Sequence, residues 1–434
     1  MDQTEALIIE TIDRHREEIL EFARDIYSHA ELGYKEFQTS GKFVKKMEQL
    51  GLRTEKGFAI TGVKAYLNED KKENASLALL GELDALRIPE HAFANPETNA
   101  AHCCGHHAQM AGVFGAALAL TVPEIAEKLD GQVVFFATPA EEYGEIEFKN
   151  QLREQGKIRY GGGKCELLRI GAFDDIDLCL THHIRPGNEI LVGSGTGNGF
   201  VSKVIRVLGK ASHAAGAPEK GVNALSAASL GLQALGLNRE TFRDEDCVRV
   251  HPIITKGGNL VNVIPDEVVV ETLVRGKTIE AFTDAAKKTD RSFKAGAIAM
   301  GAKVEISTLP GYLPTLAEEA LPELKHAAEI SASGIPVIEA SGHAGGSTDV
   351  GDVQHLMPVY TFNTGGVKGG LHQIDFEVTD EEEAYIVTAK MFALAAYGLL
   401  KEKAQRSREL VDQYEPVFKN SAEYVEFMEQ FDSK

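Results

Sequence analysis

The sequence contains no concentrated run of basic residues outside its C-terminal tail. Its 45 Lys and Arg residues are outnumbered by 65 Asp and Glu residues, and the formal net charge is −20 over 434 residues. Nucleic acids and anionic membranes bind proteins through a basic surface. The charge balance therefore argues against nucleic acid and membrane as partners.

A disulfide framework is also missing. The sequence has an odd number of cysteines, two of them adjacent, which is a poor basis for disulfide pairing in a chain of this length. The five cysteines are Cys103, Cys104, Cys165, Cys179 and Cys247. Reduced thiols are expected, as in a protein of the cytoplasm.

The sequence shows neither a signal peptide nor a membrane span. Its first residues, MDQTEALIIETIDRHREE, are acidic where a signal peptide has a basic segment followed by an apolar one. No apolar stretch approaches the ~20 residues that cross a membrane. These absences again predict a cytoplasmic location.

Helix and strand patterns alternate in the first part of the chain. Apolar residues spaced by three and four predict helices in the first fifty residues. Continuous apolar runs at 76–80, 133–137 and 176–180 predict strands buried on both faces, and the Ala-rich stretch 108–120 predicts a helix. An α/β domain is therefore predicted, with a mixed, largely parallel sheet covered by helices.

A second domain is predicted in the middle of the chain, because a single core rarely exceeds roughly 250–300 residues. The glycines of 193–199 mark its start. The pattern that follows is β-α-β-β-α-β, the ferredoxin-like order, with elements at 201–208, 223–235, 247–255, 267–274, 279–300 and 303–308. We therefore predict a catalytic domain of 1–193 and 312–434, whose last part (401–434) is a helical tail, and an inserted α+β domain of 194–311.

Carboxylate or imidazole side chains follow each of the three predicted strands of the first domain. They are Glu82 and Asp84, then Glu141 and Glu142, then His182 and His183. In open α/β sheets, binding sites form beyond the carboxyl ends of the strands. These side chains are therefore expected to meet at one site.

The segment HCCGHH at 102–107 is the densest group of candidate metal ligands. Thiolate and imidazole are preferred ligands of borderline divalent ions such as zinc. Taken alone, such a segment is as often buried and inert. Beside a metal, however, one of two adjacent glutamates can ligate the ion while the other accepts a proton from activated water. With a late imidazole at His372, the sequence predicts a dinuclear site with a spare base.

These segments resemble the metal-dependent amidohydrolase family of hippurate hydrolases, auxin–amino-acid conjugate hydrolases and aminobenzoyl-glutamate hydrolases, a branch of the aminoacylase and carboxypeptidase superfamily. The resemblance extends from HAELGYKEF at 29–37 to LH at 371–372, nearly the whole chain apart from the tail. The matching motifs between them are HCCGH (102–106), PAEE (139–142), HIRP (183–186), GKASHAAGAP (209–218) and NVIPD (262–266) with Arg275 nine residues on.

The resemblance implies a role for each matching residue. Glu141 would be the general base, and two divalent ions would be held by Cys104, His106, Glu142, His183 and His372. Asp84 would orient a ligand. His213 would stabilise the developing oxyanion, in relatives often across a dimer interface, and Asn262 and Arg275 would hold the carboxylate of the substrate. The inserted domain would act as a lid and form a homodimer.

Some positions depart from the family pattern. His107 stands where relatives usually have Asp or Asn, Gln109 where they often have His, and Glu82 where the commonest branch has Asp. The segment GSTDVGD at 346–352 resembles aminobenzoyl-glutamate hydrolase-like proteins more than hippurate hydrolases. His107 and His182 remain alternatives to the neighbouring residues as ligands.

The sequence thus predicts an enzyme that cleaves the amide bond of a small-molecule N-acyl or aminobenzoyl amino acid. Two metal ions (zinc, manganese, cobalt or nickel) would activate the attacking water. One alternative is a dipeptidase or carboxypeptidase-type peptidase, for which no carboxylate stands out to bind a free amine. Another is a non-catalytic homologous subunit of a hydrolase complex, which the presence of Glu141 disfavours.

Overall fold

The computed structural model describes residues 1–433, and contacts between residues divide them into two compact units. Unit 1 consists of Met1–Gly195, Leu316–Gly342 and Asp352–Ser421. Unit 2 consists of Thr196–Thr315, His343–Gly351 and 422–433. Two segments after residue 311 therefore group with unit 2, whereas the predicted boundaries assign that whole stretch to the catalytic domain.

The helices in chain order are α1 (Gln3–Arg14), α2 (Arg16–Ser28), α3 (Phe37–Gln49), α4 (His106–Leu120), α5 (Pro123–Ala126), α6 (Ile146–Glu154), α7 (Gly163–Arg169), α8 (Ala224–Leu237), α9 (Ile279–Met300), α10 (Pro322–Ser331), α11 (Val350–Gln354), α12 (Thr388–Gln413) and α13 (Ser421–Glu429). Short 3₁₀ turns lie at Glu69–Lys71, Pro218–Lys220, Asn238–Thr241 and Asp244–Asp246, and a π-helical turn, Glu382–Val387, leads into α12.

The strands are β1 (Arg53–Phe58), β2 (Gly62–Leu67), β3 (Ser76–Glu82), β4 (Leu86–Arg87), β5 (Ala100–Ala101), β6 (Gln132–Thr138), β7 (Leu178–Ile184), β8 (Ile190–Val192), β9 (Thr196–Gly197), β10 (Gly199–Leu208), β11 (Arg249–Val250), β12 (Ile253–Lys256), β13 (Glu267–Gly276), β14 (Lys303–Pro310), β15 (Val337–Glu339), β16 (His343–Ala344), β17 (Val359–Thr364), β18 (Val367–Lys368) and β19 (Glu377–Val378).

Unit 1 is built on an eight-stranded mixed sheet in the order β1-β2-β6-β3-β7-β17-β8-β15. Its four central strands, β6, β3, β7 and β17, run parallel. Strands β3 and β6 are buried along their whole length, as expected for apolar runs in a sheet with both faces covered. The predicted α/β class with a mixed, largely parallel sheet is confirmed.

Helix α4 packs inside unit 1 and is buried at every residue. Two of its glycines allow α12 to approach closely. A Cβ atom at Gly112 would lie 2.5 Å from the Thr388 side chain, and one at Gly115 would lie 2.5 Å from Ala389. Because α4 begins at His106, this packing fixes the position of the first candidate ligands.

The C-terminal helical segment of unit 1 lies in its core. Among the described residues, Glu382–Gln413 is the one helical segment long and apolar enough to cross a membrane by length and composition alone. However, 89% of its most apolar window is buried inside the protein. Such burial is typical of a core helix, which also needs an apolar surface on all sides.

Unit 2 contains an antiparallel sheet in the order β11-β13-β10-β14, with β12 also paired to β13. Helices α8 and α9 pack against it, so the chain order is β-α-β-β-α-β and the predicted ferredoxin-like arrangement is confirmed. The strand predicted at 247–255 is interrupted between β11 and β12. Pro252 lies in the gap, where its missing N–H cannot support a continuous ladder.

Candidate metal centre

The local fold brings the candidate ligands of unit 1 to the carboxyl edge of its parallel strands. Glu141 and Glu142 follow β6, and His183 lies near the end of β7. Cys104 and His106 flank Gly105, whose φ of +94° is the left-handed region that favours glycine. A Cβ atom at Gly105 would lie 2.0 Å from the Ile184 side chain, so this position also requires glycine for space.

The Cys104 thiol lies between two imidazoles. Its Sγ is 3.3 Å from Nε2 of His183 and 3.3 Å from Nε2 of His372. Nε2 of His372 is also 3.1 Å from Oε1 of Glu142. The backbone N–H of His372 donates to the Cys103 carbonyl at 2.9 Å, which ties the late loop to the segment before α4.

Three overlapping groups of ligand atoms that lie wholly in unit 1 each fall within 4.8 Å and could hold a metal ion. They are Cys104 with His106 and His183; Cys104 with Glu142 and His372; and His106 with Glu141 and Glu142. Thiolate, imidazole and carboxylate together suit zinc and neighbouring first-row divalent ions. Because the first two groups share Cys104, the arrangement has room for two neighbouring ions.

Unpaired polar atoms provide a test of whether these residues fit a metal. Nδ1 of His106 lies 2.8 Å from the Asp84 carbonyl oxygen, which leaves Nε2 as the free ring nitrogen. That Nε2 lies 3.1 Å from Oε2 of Glu82, and Oε1 of Glu142 lies 3.1 Å from Nε2 of His372, yet both buried atoms lack a contact with hydrogen-bond geometry. Buried polar atoms rarely remain unsatisfied. Divalent ions would satisfy both, so the donor set fits the predicted metals.

Burial and crowded charges shift the ionisation of the candidate ligands. Burial, and then the charge of Glu142, raises the pKa of the Cys104 thiol well above its usual value. For His106, burial lowers the pKa, but Glu82 and Cys104 outweigh it and the net pKa is raised. A divalent ion favours the opposite states, a thiolate and a neutral imidazole.

The two alternative metal ligands, His107 and His182, lie outside these groups of ligand atoms. Strand β7 runs through His182 and His183, further than predicted, because both residues pair with β17. Successive side chains of a strand face opposite ways, and Nε2 of His182 lies 2.8 Å from Oγ1 of Thr364. His107 contacts the hydroxyl of Tyr385 at 3.2 Å. Among the described residues, neither histidine belongs to a group that could hold a metal.

Asp84 is fully buried and contacts two of the candidate ligand segments. Its Oδ2 accepts a hydrogen bond from the backbone N–H of Glu142 at 2.9 Å. Its Oδ1 lies 3.2 Å from Nδ1 of His106. These contacts are those expected of a residue that orients ligands.

Lys164 is a neighbour of the site that the sequence motifs did not reveal. Its ammonium is buried and donates to Oε1 of Glu82, while Oε2 of Glu82 accepts from Gln109 at 2.8 Å and lies 3.1 Å from Nε2 of His106. Burial raises the pKa of Glu82, but Lys164 and His106 outweigh it and lower the pKa to about 2. The available signal was a lysine inside the apolar segment of α7.

Glu36 was also not predicted, although it lies in the HAELGYKEF motif. Its carboxyl group is fully buried and accepts hydrogen bonds from the backbone N–H of Ala140 at 2.8 Å and from the Thr61 hydroxyl at 2.7 Å. Burial, and then the charge of Asp84, raises its pKa to about 7. Ala140 has a φ of +50°, so Glu36 supports the strained turn that precedes Glu141.

The remaining predicted residues lie in unit 2. The backbone N–H of Ala214 donates to the Asn262 carbonyl at 3.0 Å, so His213 and Asn262 lie on adjacent segments, and both are exposed. Arg275 lies on β13, with Nη1 3.4 Å from Oγ of Ser347. The roles of these three residues in substrate binding stay predictions.

Residues 78–397 match the Peptidase family M20/M25/M40. The chain belongs to this family. Membership confirms the predicted enzyme class, a metal-dependent hydrolase of amide bonds.

Curated relatives of this chain include two of the kinds of protein that the sequence resemblance names. Xaa-Arg dipeptidase of Mus musculus is 27% identical over 408 residues, 91% of this chain and 85% of that protein. IAA-amino acid hydrolase ILR1-like 2 of Arabidopsis thaliana is 30% identical over 272 residues, 61% of this chain and 56% of that protein. A component of the p-aminobenzoyl-glutamate hydrolase of Escherichia coli is 27% identical over 315 residues, 71% of this chain and 60% of that protein. The resemblance is therefore confirmed.

Two solved structures share the fold. A dinuclear metal binding peptidase of the M20 family from Bacillus subtilis has a TM-score of 0.62 and 23% identity, and covers 89% of this chain and 99% of its own. The aminobenzoyl-glutamate utilization protein of Klebsiella pneumoniae has a TM-score of 0.65 and 18% identity, and covers 91% of this chain and 98% of its own.

Proposed function

We propose that this chain hydrolyses the amide bond of an N-acyl amino acid, with Glu141 as the general base of a two-metal site. The observation that carries the proposal is the position of Glu141 within 4.8 Å of the candidate ligands His106 and Glu142. A base must lie within reach of the water it deprotonates, and water in such a site lies beside the ligands.

In this proposal the ions are held by the five residues Cys104, His106, Glu142, His183 and His372. Support comes from the gathering of these ligand atoms within 4.8 Å of one another, group by group, and from the similar fold of a peptidase named as dinuclear. Zinc, cobalt, manganese and nickel all suit this mixture of ligands. When bound, the ions polarise the scissile carbonyl and lower the pKa of a water molecule.

The protein's own groups then move the protons. Glu141 accepts a proton from the attacking water and returns it to the leaving amine. Its Oε2 is 3.9 Å from Nε2 of His106, close to the site yet beyond hydrogen-bond distance. Asp84 keeps Glu142 and His106 in position, and Glu36 supports the turn before Glu141. His213 would stabilise the oxyanion.

Unit 2 supplies the proposed substrate clamp and dimer contact. Asn262 and Arg275 would bind the carboxylate of the substrate, for which the planar guanidinium is well suited. A homodimer through unit 2 is supported by β12, which pairs only with β13 within the described chain and exposes Ile253 at 61%. The nearby Val261 is fully exposed. Open strand edges with apolar side chains favour pairing with another chain.

A cytoplasmic location belongs to the same proposal. All five cysteines are free, and four of them are buried. Proteins of oxidising compartments more often pair their cysteines, so free thiols support a reducing compartment.

A dipeptidase is the second candidate, because the dipeptidase of Mus musculus aligns with 91% of this chain. The two activities differ at the acyl side of the bond. On that side a dipeptidase must accommodate a charged amine, whereas an N-acyl hydrolase must accommodate an uncharged acyl group. Rates on N-acetyl, N-benzoyl and aminobenzoyl amino acids, compared with rates on dipeptides of the same leaving residue, would separate them.

The substitution Glu141→Gln tests the proposed base. We expect two equivalents of metal per chain in both proteins, and a loss of turnover of at least about 100-fold in the variant, because general-base catalysis contributes about that much. Glu147→Gln, the same change at an exposed position of α6, is the matched control and should keep full activity.

Two outcomes would reject the proposed function. Activity of Glu141→Gln within tenfold of the unmodified protein would remove Glu141 as the base. Full metal occupancy without hydrolysis of any amide tested would favour a non-catalytic subunit instead.

A further inference from the structure

The contact between Glu82 and His106 is short but is not a hydrogen bond. Oε2 of Glu82 lies 3.1 Å from Nε2 of His106, yet this nitrogen has no partner with hydrogen-bond geometry. The other ring nitrogen, Nδ1, already lies 2.8 Å from the carbonyl oxygen of Asp84. Polar atoms that are buried side by side are normally aligned as a hydrogen bond. The short, misaligned contact therefore needs another explanation.

The same kind of contact joins two of the five ligands in the proposed function. Nε2 of His372 lies 3.1 Å from Oε1 of Glu142, and that oxygen also has no partner with hydrogen-bond geometry. Two ligand atoms of one ion, each about 2.0–2.2 Å from it, lie about 3–3.5 Å apart and point at the ion rather than at each other. Glu82 and His106 thus have the separation expected of neighbouring ligands.

Glu82 lies among the strand ends that carry the other candidate ligands. It is the last residue of β3, and β3 lies between β6 and β7 in the sheet of unit 1. Glu141 and Glu142 follow β6, and His183 lies near the end of β7. An oxygen of Glu82 lies within 4.8 Å of an oxygen of Glu141. The Glu82 side chain is also buried, at 2% exposure, so its carboxylate is placed inside the candidate centre rather than in solvent.

Two neighbours fix the orientation of the Glu82 carboxylate. Lys164 donates to Oε1. Gln109 contacts the residue twice, since its Oε1 accepts from the Glu82 backbone N–H at 2.9 Å and its Nε2 donates to Oε2 at 2.8 Å. Gln109 lies three residues after His106 in α4, on the same face of that helix. A carboxylate oxygen can accept two contacts, so Oε2 keeps one position for an ion.

Glu82 and Gln109 are two of the positions at which this chain departs from the family pattern. The structure shows that they contact each other, so the two departures form one feature. A glutamate side chain is one methylene longer than the aspartate of the commonest branch. It therefore carries its carboxylate further from β3, to a position beside His106.

We propose that Glu82 is a sixth ligand of the two-metal site and binds, through Oε2, the ion that His106 holds. Lys164 and Gln109 are then positioning residues, because an ammonium and an amide N–H cannot ligate a cation. The inference rests on the two-metal site of the proposed function. A further carboxylate makes the site more favourable for manganese, which prefers oxygen ligands.

A crystal structure of the zinc-loaded protein tests the contact directly, with anomalous scattering at the zinc edge to locate the ions. We expect Oε2 of Glu82 to lie about 2.0–2.2 Å from one ion, the ordinary length of a bond between zinc and a carboxylate oxygen. A separation of more than about 3 Å is too long for such a bond and would overturn Glu82 as a ligand.

Zinc affinity, measured by competition with a chromophoric chelator, tests the ligand in solution. The double variant Lys164→Met/Glu82→Gln removes both buried charges together. In it, we expect one of the two zinc equivalents to bind more than about 100-fold more weakly, since loss of a residue that only orients a ligand costs about 10–100-fold. Glu166→Gln is the matched control and should keep both equivalents. Glu166 is a buried glutamate of unit 1 that pairs with Arg169 and, among the described residues, belongs to no group that could hold a metal.

Urea unfolding of the metal-free proteins separates ligation from folding. The double variant should unfold at a higher urea concentration than Lys164→Met and yet remain defective in zinc binding. Zinc affinity of the double variant within about 100-fold of the unmodified protein would overturn the sixth ligand and leave the five-ligand hydrolase intact. Conversely, weaker zinc binding in the double variant of a protein that hydrolysed no amide would support Glu82 as a ligand and reject only the proposed activity.

Discussion

The ammonium of Lys164 and the carboxylate of Glu82 form an ion pair in the interior of unit 1, with both side chains almost fully buried. The same carboxylate lies 3.1 Å from the imidazole of His106, a candidate metal ligand. A structural ion pair and the candidate metal centre therefore share one side chain.

Loss of this lysine should destabilise the protein strongly. Lys164→Met leaves the Glu82 carboxylate buried without its cation, and breaking such a pair costs about 3–5 kcal/mol. Urea unfolding should show this loss. The double variant Lys164→Met/Glu82→Gln should recover part of it, because the uncompensated charge is gone. A loss below about 1 kcal/mol in the single variant would contradict the importance of the pair.

Helix α7 should tolerate no side chain at Gly163. A Cβ atom there would lie 1.6 Å from the Pro139 carbonyl oxygen, in the turn that leads to Glu141. Gly163→Ala should therefore lower both stability and activity. Gly41→Ala is the matched control, since nothing lies within 4 Å of its added Cβ, and it should stabilise α3 by up to about 1 kcal/mol. Thermal unfolding and turnover would measure both, and equal effects would refute the packing argument.

Glu318 should make stability depend on pH. Burial raises its pKa to about 8 from an ordinary 4.5, although Thr361 donates to it through its N–H and hydroxyl. Between these values the folded state holds a proton that the unfolded state releases, so this contribution to stability falls as pH rises from about 4.5 to 8. Glu318→Gln should match the unmodified protein near pH 5 and melt at a higher temperature near pH 9. If the melting temperatures of the two proteins changed equally between pH 5 and pH 9, the raised pKa of Glu318 would be contradicted.

Adjacent cysteines should differ in their effect on metal content. Cys104→Ser should lower the metal content and the melting temperature, because an ion that binds only the folded state stabilises it. Cys103→Ser should retain the metal, since Cys103 belongs to none of the groups that could hold one among the described residues. Chelation should lower the melting temperature of the unmodified protein, and added zinc should restore it. Equal metal loss in both variants would count against Cys104 as a ligand.

Elements set by local sequence were predictable. Helix α9 has the predicted bounds, because Thr278 caps its first turn and Gly301 ends it with a φ of +67°. The buried strands β3 and β6 were visible as apolar runs. Local patterns also placed Glu141 and Glu142 at the end of a strand.

Contacts between distant segments were not predictable from one sequence. Strand β7 extends through His183 only because β17 lies beside it. The pairing of Lys164 with Glu82 joins residues 82 positions apart, and Glu36 reaches Ala140 across 104 positions. Periodicity and capping patterns cannot predict such contacts, because the two residues come together only when the chain folds.

The position of Cys104 between two imidazoles also determines the order in which its two groups of metal ligands can form during synthesis of the chain. Its contact with His183 spans 79 residues, whereas its contact with His372 spans 268. On the ribosome, all donors of the group with His106 and His183 are synthesised before unit 2 begins. The group with Glu142 and His372 must wait until the segment Thr196–Thr315 of unit 2 has been synthesised, and closing the longer loop costs more chain entropy. A nascent chain can thus present four of the five ligands of the proposed function before unit 2 begins, and only His372 joins them after the main segment of unit 2 has been made.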